Sequence, residues 1–591
     1  MVKKAYLLSA LLLVARFCSA QTTFLSLGSD DYLLLDRLET RSGRLCDSLA
    51  LGDKPESRKN AVHFLETIKA NNAVDTDGSA ATAIKGISNI DRYNIGRMIS
   101  ENGEWTPDEN GAVDSKHSWF NTFYKKQDDF IYVKSGDFFM VVNPVLSGYA
   151  MEQHNIPVAP SSVSSRVLGN THGAEMRLWI SKKISFYTLF TDNQEQYPYY
   201  IYRAITGQHQ YVPGGDYFLL PNERNGYYDY MQASGYINFE VVKKYMNITF
   251  GNGKHFIGDG ISSLFLTDYS SNMPFLQLQA RIWKFNYEAL YMELTPQYDK
   301  ALGDALLAHK YTTMHYLTWN ATRWLNLGFF ESEVFDRPNS YELSYLNPII
   351  LSTAINRFNG DGDKSLLGFS GKAIVAKHLQ FYGQFMLNEF RYSEFFGNKG
   401  WYGNKWGVQM GGKYFDAFTV KNLDLQLEMD AVRPYAYSAQ DTLANYTNYN
   451  QPLADPLGSG FIKTIGIARY QPVKNLTITA QATYYIQGVD TGSSNFGNDI
   501  FNPYTTAAYQ YGVSMINGPK SHCEILNLNL SYQLRRNLFV DLGGVYRKYV
   551  NNAGIYSNDY TTNGPISGPL TTNTVYFGIR LNAARRDFTQ Y

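Results

Sequence analysis

The sequence has little cysteine, and its charged residues are few and balanced in sign. Only 3 of the 591 residues are cysteine, so a framework of several disulfides is excluded. Lys and Arg together number 53, and so do Asp and Glu, which gives a formal net charge of zero. A nucleic-acid-binding protein would carry a basic excess. The composition therefore argues against a nucleic acid as a partner.

Long apolar runs are also missing. No stretch of 18 or more apolar residues occurs beyond the N-terminus, and this excludes a membrane protein built of helices. Residues 1–20 have the pattern of a secretory signal peptide. Lys3 and Lys4 precede a short apolar stretch, and small residues follow at 18–20. We therefore expect an exported protein in which Cys46 and Cys523 remain, in different parts of the chain.

The sequence carries no signature of a cofactor, a metal centre or a catalytic site. No Cys and His spacing is typical of a metal site. The stretch 359–363 resembles the opening of a calcium-binding loop, but Lys364 stands where glycine is required. No G-x-S-x-G motif occurs. We expect no enzyme, although a hydrolase with a site assembled from distant strands stays an alternative.

Aromatic residues, by contrast, are abundant. The chain has 47 Tyr, 35 Phe and 8 Trp, which amount to 15% of its residues. So many aromatics argue against disorder. They are typical of an all-β protein, and especially of a membrane barrel with aromatic girdles.

Residues 21–115 have a helical pattern and are expected to form a small periplasmic region that packs on the rest. A first helix from near Ser29 is indicated by leucines at helical spacing: Leu34, Leu38, Leu45 and Leu49. A second helix is predicted over 56–69. A third begins at a capping box formed by Ser88 and Asp91.

From about residue 128 the pattern changes to an alternation of apolar and polar residues, which predicts strands. The clearest examples lie at 423–431, 476–484, 526–532 and 575–581. In a soluble sandwich the apolar face would meet a second sheet, whereas in an outer-membrane barrel it would meet lipid.

Three features favour the barrel. The strands continue over most of the chain without a second shift in composition. Tight turns alternate with long loops rich in Asn, Gly, Ser, Thr and Tyr, and aromatics gather near predicted strand ends. The barrel is expected to comprise residues 116–591, and at roughly 25 residues for each strand with its connection, its strand-patterned part of roughly 460 residues gives about 18 antiparallel strands.

Charged residues on the polar faces of the strands are expected to line the lumen. The candidates are Glu240, Arg281, Asp424, Glu428, Asp541 and Arg580. One interpretation is mutual salt bridging across a wet lumen, and the other is a polar path or a polysaccharide track. The balance of signs predicts no strong ion selectivity.

Aromatic residues beside hydrogen-bonding groups in one loop region are candidates for carbohydrate binding. Sugars stack their apolar faces on rings while polar groups hold their hydroxyls. The candidates are Arg391, Tyr392, Trp401, Tyr402 and Trp406. The alternative interpretation is an interfacial aromatic belt.

Several stretches resemble capsule-assembly proteins of the Wzi type, and they resemble still more closely the RemB group of gliding motility proteins. The resemblance rests on residues 31–39, 91–105, 250–260, 315–320, 345–348, 404–407 and 432–435. It implies a non-enzymatic outer-membrane barrel of about 18 strands with a periplasmic helical part. For the Wzi type it implies anchoring of capsular polysaccharide or exopolysaccharide, and for the RemB group a part in gliding or adhesion. One departure is the C-terminus, where residues 583–591 continue beyond the last predicted strand.

The sequence thus predicts an exported protein of the bacterial outer membrane that binds or positions surface polysaccharide. Its expected partners are outer-membrane lipid or lipopolysaccharide and extracellular polysaccharide, with motility or secretion proteins as further candidates. Two alternatives stay open. One is a passive pore or uptake channel, and the other is a structural partner of a surface secretion or motility machine.

Overall fold

A computed structural model describes most of the chain after the N-terminal stretch. The described residues are 22–74, 84, 86–106, 123–155, 164–181, 183–206, 211–215, 227–296, 307–337, 340–360, 362–397, 399–492, 494–552 and 569–589. The predicted signal peptide at 1–20 lies outside them, as does most of the loop expected at 551–572.

Eighteen strands form a closed antiparallel barrel. The first nine are β1 Phe138–His154, β2 Arg166–Ile180, β3 Ile184–Glu195, β4 Tyr228–Val242, β5 Met246–Gly253, β6 Met273–Ile282, β7 Phe285–Leu294, β8 Lys310–Asn320 and β9 Leu325–Phe335. The other nine are β10 Lys364–Val375, β11 Leu379–Glu389, β12 Lys405–Tyr414, β13 Leu423–Val432, β14 Phe461–Val473, β15 Leu476–Gly488, β16 Lys520–Arg535, β17 Leu538–Asn551 and β18 Leu570–Leu581.

Each barrel strand pairs with its neighbours in the chain, and the ring closes between β18 and β1. Leu581 lies opposite Leu146 and Asn573 opposite His154 in this closing pair. A short strand, Ile131–Ser135, pairs with the start of β1. Two-stranded sheets outside the ring pair Asp53–Lys54 with Phe256–Ile257 and Thr447–Asn448 with Gln451–Pro452. The prediction of about 18 antiparallel strands is confirmed.

Apolar side chains point out of the barrel and polar side chains point into it. On β13, Leu427 and Met429 are 60% and 44% exposed, while Glu428 and Asp430 are fully buried. The apolar side chains of β18 are exposed in the same way, as Val575, Phe577 and Ile579 show. In a soluble sandwich the apolar set would be the buried one. This pattern is that of a barrel with lipid outside and a polar lumen.

The two ends of the barrel differ. Connections such as 243–245, 283–284 and 474–475 are tight turns at one end, here the short-turn end. At the opposite, long-loop end the connections reach about thirty residues, as between β9 and β10. This asymmetry agrees with the difference between turns and loops that the sequence predicts.

The helices within the described residues belong to the N-terminal segment and to the long loops. They are α1 Asp31–Ser42, α2 Arg58–Val74, α3 Asn89–Glu101, α4 Tyr199–Thr206, α5 Ser352–Asn359 and α6 Tyr392–Phe396. In the described part of the chain, no helix has both the length and the apolar character needed to span a membrane. Further 3₁₀ turns include Gly103–Trp105 and Leu343–Leu346.

The sequence predicts the N-terminal helices with one error. The capping box is confirmed, because the Asp91 amide donates to Ser88 Oγ and the Ser88 amide donates to the Asp91 carboxylate. The expectation that Leu45 and Leu49 continue the first helix is wrong. Gly43 ends α1 in the left-handed conformation, with φ of 75°. Leu49 nevertheless packs in the small core of the N-terminal segment, and Leu45 is buried as well.

The N-terminal segment lies inside the barrel at its short-turn end. Arg37 of α1 forms ion pairs with Asp91 of α3, at 2.9 Å, and with Asp416 and Asp424 of the wall. These side chains are all nearly inaccessible to solvent. On the opposite wall, Arg177 contacts Glu104 at 2.9 Å. The segment is therefore held by charge-assisted hydrogen bonds around its circumference.

Other described parts of the chain also turn into the lumen. The loop 254–272 and the loop 433–460 together supply much of the largest buried apolar cluster, with Leu264, Phe265 and Tyr446 among its members. After β18 the tail 582–589 runs up the inside of the wall. Arg586 of this tail pairs with Glu195.

We expect Arg37→Ala to loosen the N-terminal segment, because it leaves the carboxylates of Asp91, Asp416 and Asp424 buried without their cation. Removal of one partner of a buried ion pair costs about 3–5 kcal/mol. Hydrogen exchange of the α1 and α3 amides in detergent should accelerate strongly, while exchange in the strands stays slow. Arg92→Ala, at an exposed position of α3, is the matched control. Equal exchange in the two variants would show that the ion pairs of Arg37 do not hold the N-terminal segment in place.

Candidate functional site

The six lumen candidates all lie on the inner surface of the wall, and most contact the parts that fill the lumen. Glu240 lies 3.8 Å from Lys59, and Arg281 lies 3.5 Å from Glu56 and donates to the Ser48 carbonyl. Asp541 and Arg580 pair with one another, the Arg580 Nε to carboxylate distance being 2.8 Å. Asp424 forms an ion pair with Arg37. Glu428 accepts a hydrogen bond from the loop 254–272. The structure thus places these residues in ion pairs and loop anchors.

Glu428 holds the loop 254–272 in the lumen. The backbone amides of Ile261 and Ser262 donate to its two carboxylate oxygens at 2.7 and 3.0 Å, and Tyr382 donates its hydroxyl at 2.7 Å. The neighbouring Asp430 accepts from Ser262 Oγ at 2.8 Å. A buried carboxylate needs such donors to satisfy its oxygens. The inner loop is therefore fixed to the wall of β11 and β13.

A second set of ion pairs fixes α1 against β10 and β12. Lys413 lies 2.5 Å from Asp36, and Lys372 lies 3.1 Å from Glu39 and 3.2 Å from Asp259. Burial by itself raises the pKa of Asp36, but Lys413 and Lys372 hold that pKa below its ordinary value. Burial raises the pKa of Glu39 in spite of Lys372. The helix thus meets the lumen wall through charges rather than through an apolar face.

A cavity of about 780 Å³ lies in the lumen between the N-terminal segment and the tail. Its lining carries both signs of charge, with Asp30, Lys474 and Arg585 among the contributing residues. Arg469 also lines it and donates to Gln426 at 2.9 Å. Such a balanced lining gives no strong preference for cations or anions.

An aromatic and cationic cluster lies at the long-loop end, and we call it the mouth cluster: Arg391, Trp401, Tyr402, Lys405, Tyr435 and Tyr504. The Arg391 guanidinium lies 4.6 Å from the centre of the Trp401 ring. The Tyr402 ring lies 5.7 Å from that of Trp401 and 5.9 Å from that of Tyr435. Each contact is within the range of cation–π or edge-to-face attraction.

The cationic part of the mouth cluster continues with Lys405. Its ammonium lies 3.3 Å from the centre of the Tyr504 ring and 3.1 Å from the carboxylate of Glu389. Arg391 is exposed, and Trp401 and Tyr402 are half-buried. The cluster therefore combines accessible ring edges and faces with a charged donor.

The loops that carry the mouth cluster are joined by backbone hydrogen bonds. The Tyr402 amide donates to the Gln510 carbonyl at 3.0 Å, and the Val513 amide donates to the Gly400 carbonyl at 2.9 Å. Gly400 has φ of 62°, and the Val513 backbone would lie within 3.0 Å of any Cβ there. The crossing of these loops requires glycine at that position.

Two of the five predicted carbohydrate-binding residues lie apart from the mouth cluster. Trp406 follows Lys405 on β12 and therefore points to the outer face of the wall, as the exposed Met410 does. Tyr392 lies on α6 and contacts the Phe396 ring, with 4.6 Å between ring centres. The structure brings together Arg391, Trp401 and Tyr402 of the predicted set.

The sequence reasoning missed Lys405, Tyr435 and Tyr504 as parts of this cluster. They come from three separate loops and strands, so no local pattern groups them. The sequence offered only a general signal, since Tyr435 and Tyr504 lie in two long loops that are rich in Tyr, Asn and Gly.

Comparison with known proteins gives structural matches only. No family model and no curated protein match the sequence. The solved structure of Wzi from Escherichia coli aligns with 96% of this chain and 100% of its own, at a TM-score of 0.53 and 11% identity. That protein is described as an outer-membrane protein involved in Group 1 capsule assembly and as a carbohydrate-binding β-barrel.

OprD from Pseudomonas aeruginosa aligns with 75% of this chain and 94% of its own, at a TM-score of 0.40 and 9% identity. At such low identity the Wzi match shows a shared fold, and the OprD match adds no argument. The chain is therefore a barrel of the outer-membrane type.

We expect Glu428→Ala to release the loop 254–272 from the wall. The change leaves the Ile261 and Ser262 amides without their acceptor, at about 1–3 kcal/mol for each buried group. Hydrogen exchange of residues 254–272 should rise while that of α1 stays unchanged. Glu524→Ala, at an exposed position of β16, serves as control. Unaltered exchange in the loop would show that Glu428 does not anchor it.

Proposed function

We propose that this protein is a non-enzymatic barrel of the bacterial outer membrane whose long-loop end binds surface polysaccharide. The mouth cluster is the observation that carries the proposal. It joins the accessible rings of Trp401 and Tyr402 to the guanidinium of Arg391 at one place. Rings of this kind stack on the apolar faces of sugars, and charged donors bind hydroxyl or carboxylate groups of acidic polysaccharides.

The filled lumen also supports a binding role. The N-terminal segment, two inward loops and the tail occupy the interior, where a transport channel needs open space. The shared fold with Wzi is consistent with attachment of a capsule or exopolysaccharide. In this proposal the short-turn end and its helices face the periplasm, and a signal peptide at residues 1–20 directs export. A contribution to gliding or adhesion, through motility or secretion proteins, stays a prediction.

We expect Trp401→Ala and Tyr402→Ala to weaken binding of the polysaccharide shed by cells that express the protein. Loss of a central aromatic contact should lower affinity about tenfold or more, equivalent to about 1.4 kcal/mol. Binding would be measured with labelled polysaccharide on intact cells. Trp406→Ala is the matched control, because its ring lies on the outer wall. Equal binding by all three variants would remove the mouth cluster from the proposal.

The passive channel is distinguished by conductance in a planar bilayer. We expect the full chain to conduct poorly and deletion of residues 22–106 to raise the conductance, since the segment fills the short-turn end. The mobility shift between unheated and heated samples on a gel checks that the barrel remains folded. Large, steady conductance of the full chain would favour the channel instead.

A further inference from the structure

The outer face of β8 and β9 carries ionisable side chains where a lipid-facing wall should be apolar. Odd-numbered residues of these strands point outward, as the exposed Leu317 and Leu327 show. The same rows contain His315, Glu331 and Glu333, and all three are buried. His315 Nδ1 lies 2.7 Å from a Glu331 oxygen. Ionisable groups facing acyl chains are costly unless they are covered and paired.

These groups are covered by the connection between β9 and β10, which folds down along the outside of the barrel. The Ser352 amide, at the start of α5, donates to both oxygens of Glu331 at 3.1 Å. Asn356 Nδ2 donates to Glu333 at 2.8 Å, and Ser365 Oγ donates to the same carboxylate at 2.8 and 2.7 Å. We call residues 341–358 the wall loop.

Hydroxyl groups on the outer face of the barrel donate hydrogen bonds to backbone carbonyls of the wall loop. Thr313 donates to the Tyr345 carbonyl at 3.1 Å, and Tyr291 donates to the Leu346 carbonyl at 3.1 Å. The Tyr287 hydroxyl donates to the Pro348 carbonyl. All three hydroxyls come from the outer face of β7 and β8.

The amide groups at the tip of the wall loop are satisfied within the loop. Asn347 Oδ1 accepts from the Ile349 and Ile350 amides at 3.0 and 3.2 Å, and Pro348 has no amide proton to satisfy. Irregular backbone is tolerated at membrane depth only where its polar groups have partners in the protein. The Ile349 and Ile350 amides and the Pro348 carbonyl at the tip of the wall loop meet that condition.

The exposed side chains of the wall loop are mostly apolar, with Ser344 and Arg357 as the polar exceptions. Ile349 is 88% exposed, Leu343 76% and Phe358 83%. The other exposed apolar residues are Leu346, Ile350 and Leu351. This surface is continuous with the exposed band of the neighbouring strands, represented by Leu317 and Phe369.

The loop lies at the depth of the hydrocarbon. Strands β7, β8 and β9 have 10, 11 and 11 residues, which is the length that a strand needs to cross a bilayer. Exposed Trp283 and Trp324 mark the short-turn edge of the apolar band. The loop contacts Tyr287, Thr313 and Glu331, in the interior of these strands, so it cannot stand above the membrane.

We propose that the wall loop is a membrane-embedded segment whose outer surface binds the acyl chains of the outer leaflet. The connection at the long-loop end thus serves as a lipid contact on one side and as a seal over His315, Glu331 and Glu333 on the other. The continuity with the lipid-facing band is the reason to assign lipid as the occupant. The assignment does not depend on polysaccharide binding at the mouth cluster.

Site-directed spin labelling in lipid vesicles tests the wall loop. Nitroxides would be attached to Ile349→Cys and, as a second position, Leu343→Cys, in a background with Cys46→Ser and Cys523→Ser. Phe369→Cys, on the lipid-facing side of β10, is the control for lipid, and Tyr509→Cys, in an exposed loop, is the control for water. The measured quantity is the accessibility of each nitroxide to oxygen relative to a water-soluble nickel complex.

We expect the accessibility ratio at Ile349 and Leu343 to match that at Phe369. A ratio that matches Tyr509 would overturn the proposal, because the loop would then stand in water. Low accessibility to both reagents, with spin–spin broadening that disappears on dilution with unlabelled protein, would overturn it in favour of a contact between two copies. The mobility shift on gels confirms that each labelled barrel is folded.

Discussion

The pairing of ionisable side chains inside the barrel is the constraint on which the rest of the structure depends. Lipid outside requires apolar residues at every second strand position, and the alternation then leaves Asp424, Glu428 and Asp430 facing inward. Carboxylates withdrawn from water need cations or several hydrogen-bond donors. The N-terminal helices supply Arg37, and the inward loop supplies the amides of Ile261 and Ser262. The interior segments are therefore the electrostatic complement of the wall as well as its filling.

Features encoded locally could be predicted from the sequence. The alternation on β13, β15, β16 and β18 indicates strands and their two faces without reference to any partner, and the strand number follows from chain length. The capping box of Ser88 and Asp91 is equally local. The error at Leu45 and Leu49 has a local cause as well, because helical spacing alone cannot detect the left-handed glycine at 43 that interrupts the helix. Trp406 shows an overlooked signal, since its parity with Val408 and Met410 already places it on the outer face.

The remaining features depend on contacts between distant parts of the chain. The mouth cluster brings Trp401 together with Tyr435 and Tyr504, and nothing near Trp401 in the sequence specifies those partners. Glu331 and Glu333 occupy lipid-facing positions and would argue against a strand there if read alone. These two carboxylates are tolerated on the outer face because Ser352 and Asn356 of the wall loop donate hydrogen bonds to them. The position of a long loop depends on which buried polar groups of the wall it hydrogen-bonds. A single sequence does not show which groups these are.

The tail also bears on the order in which the molecule assembles. Strand β18 is the last strand to be synthesised and closes the ring against β1, yet residues 582–589 follow it and lie inside. Arg586 reaches Glu195 of β3, and the Phe588 carbonyl accepts from Tyr200 of α4, so the tail contacts parts of the chain that are made much earlier. The tail enters the interior from the short-turn end, which the N-terminal segment also occupies. The first and the last described parts of the chain therefore share one opening of the barrel, and each limits the space that is left for the other.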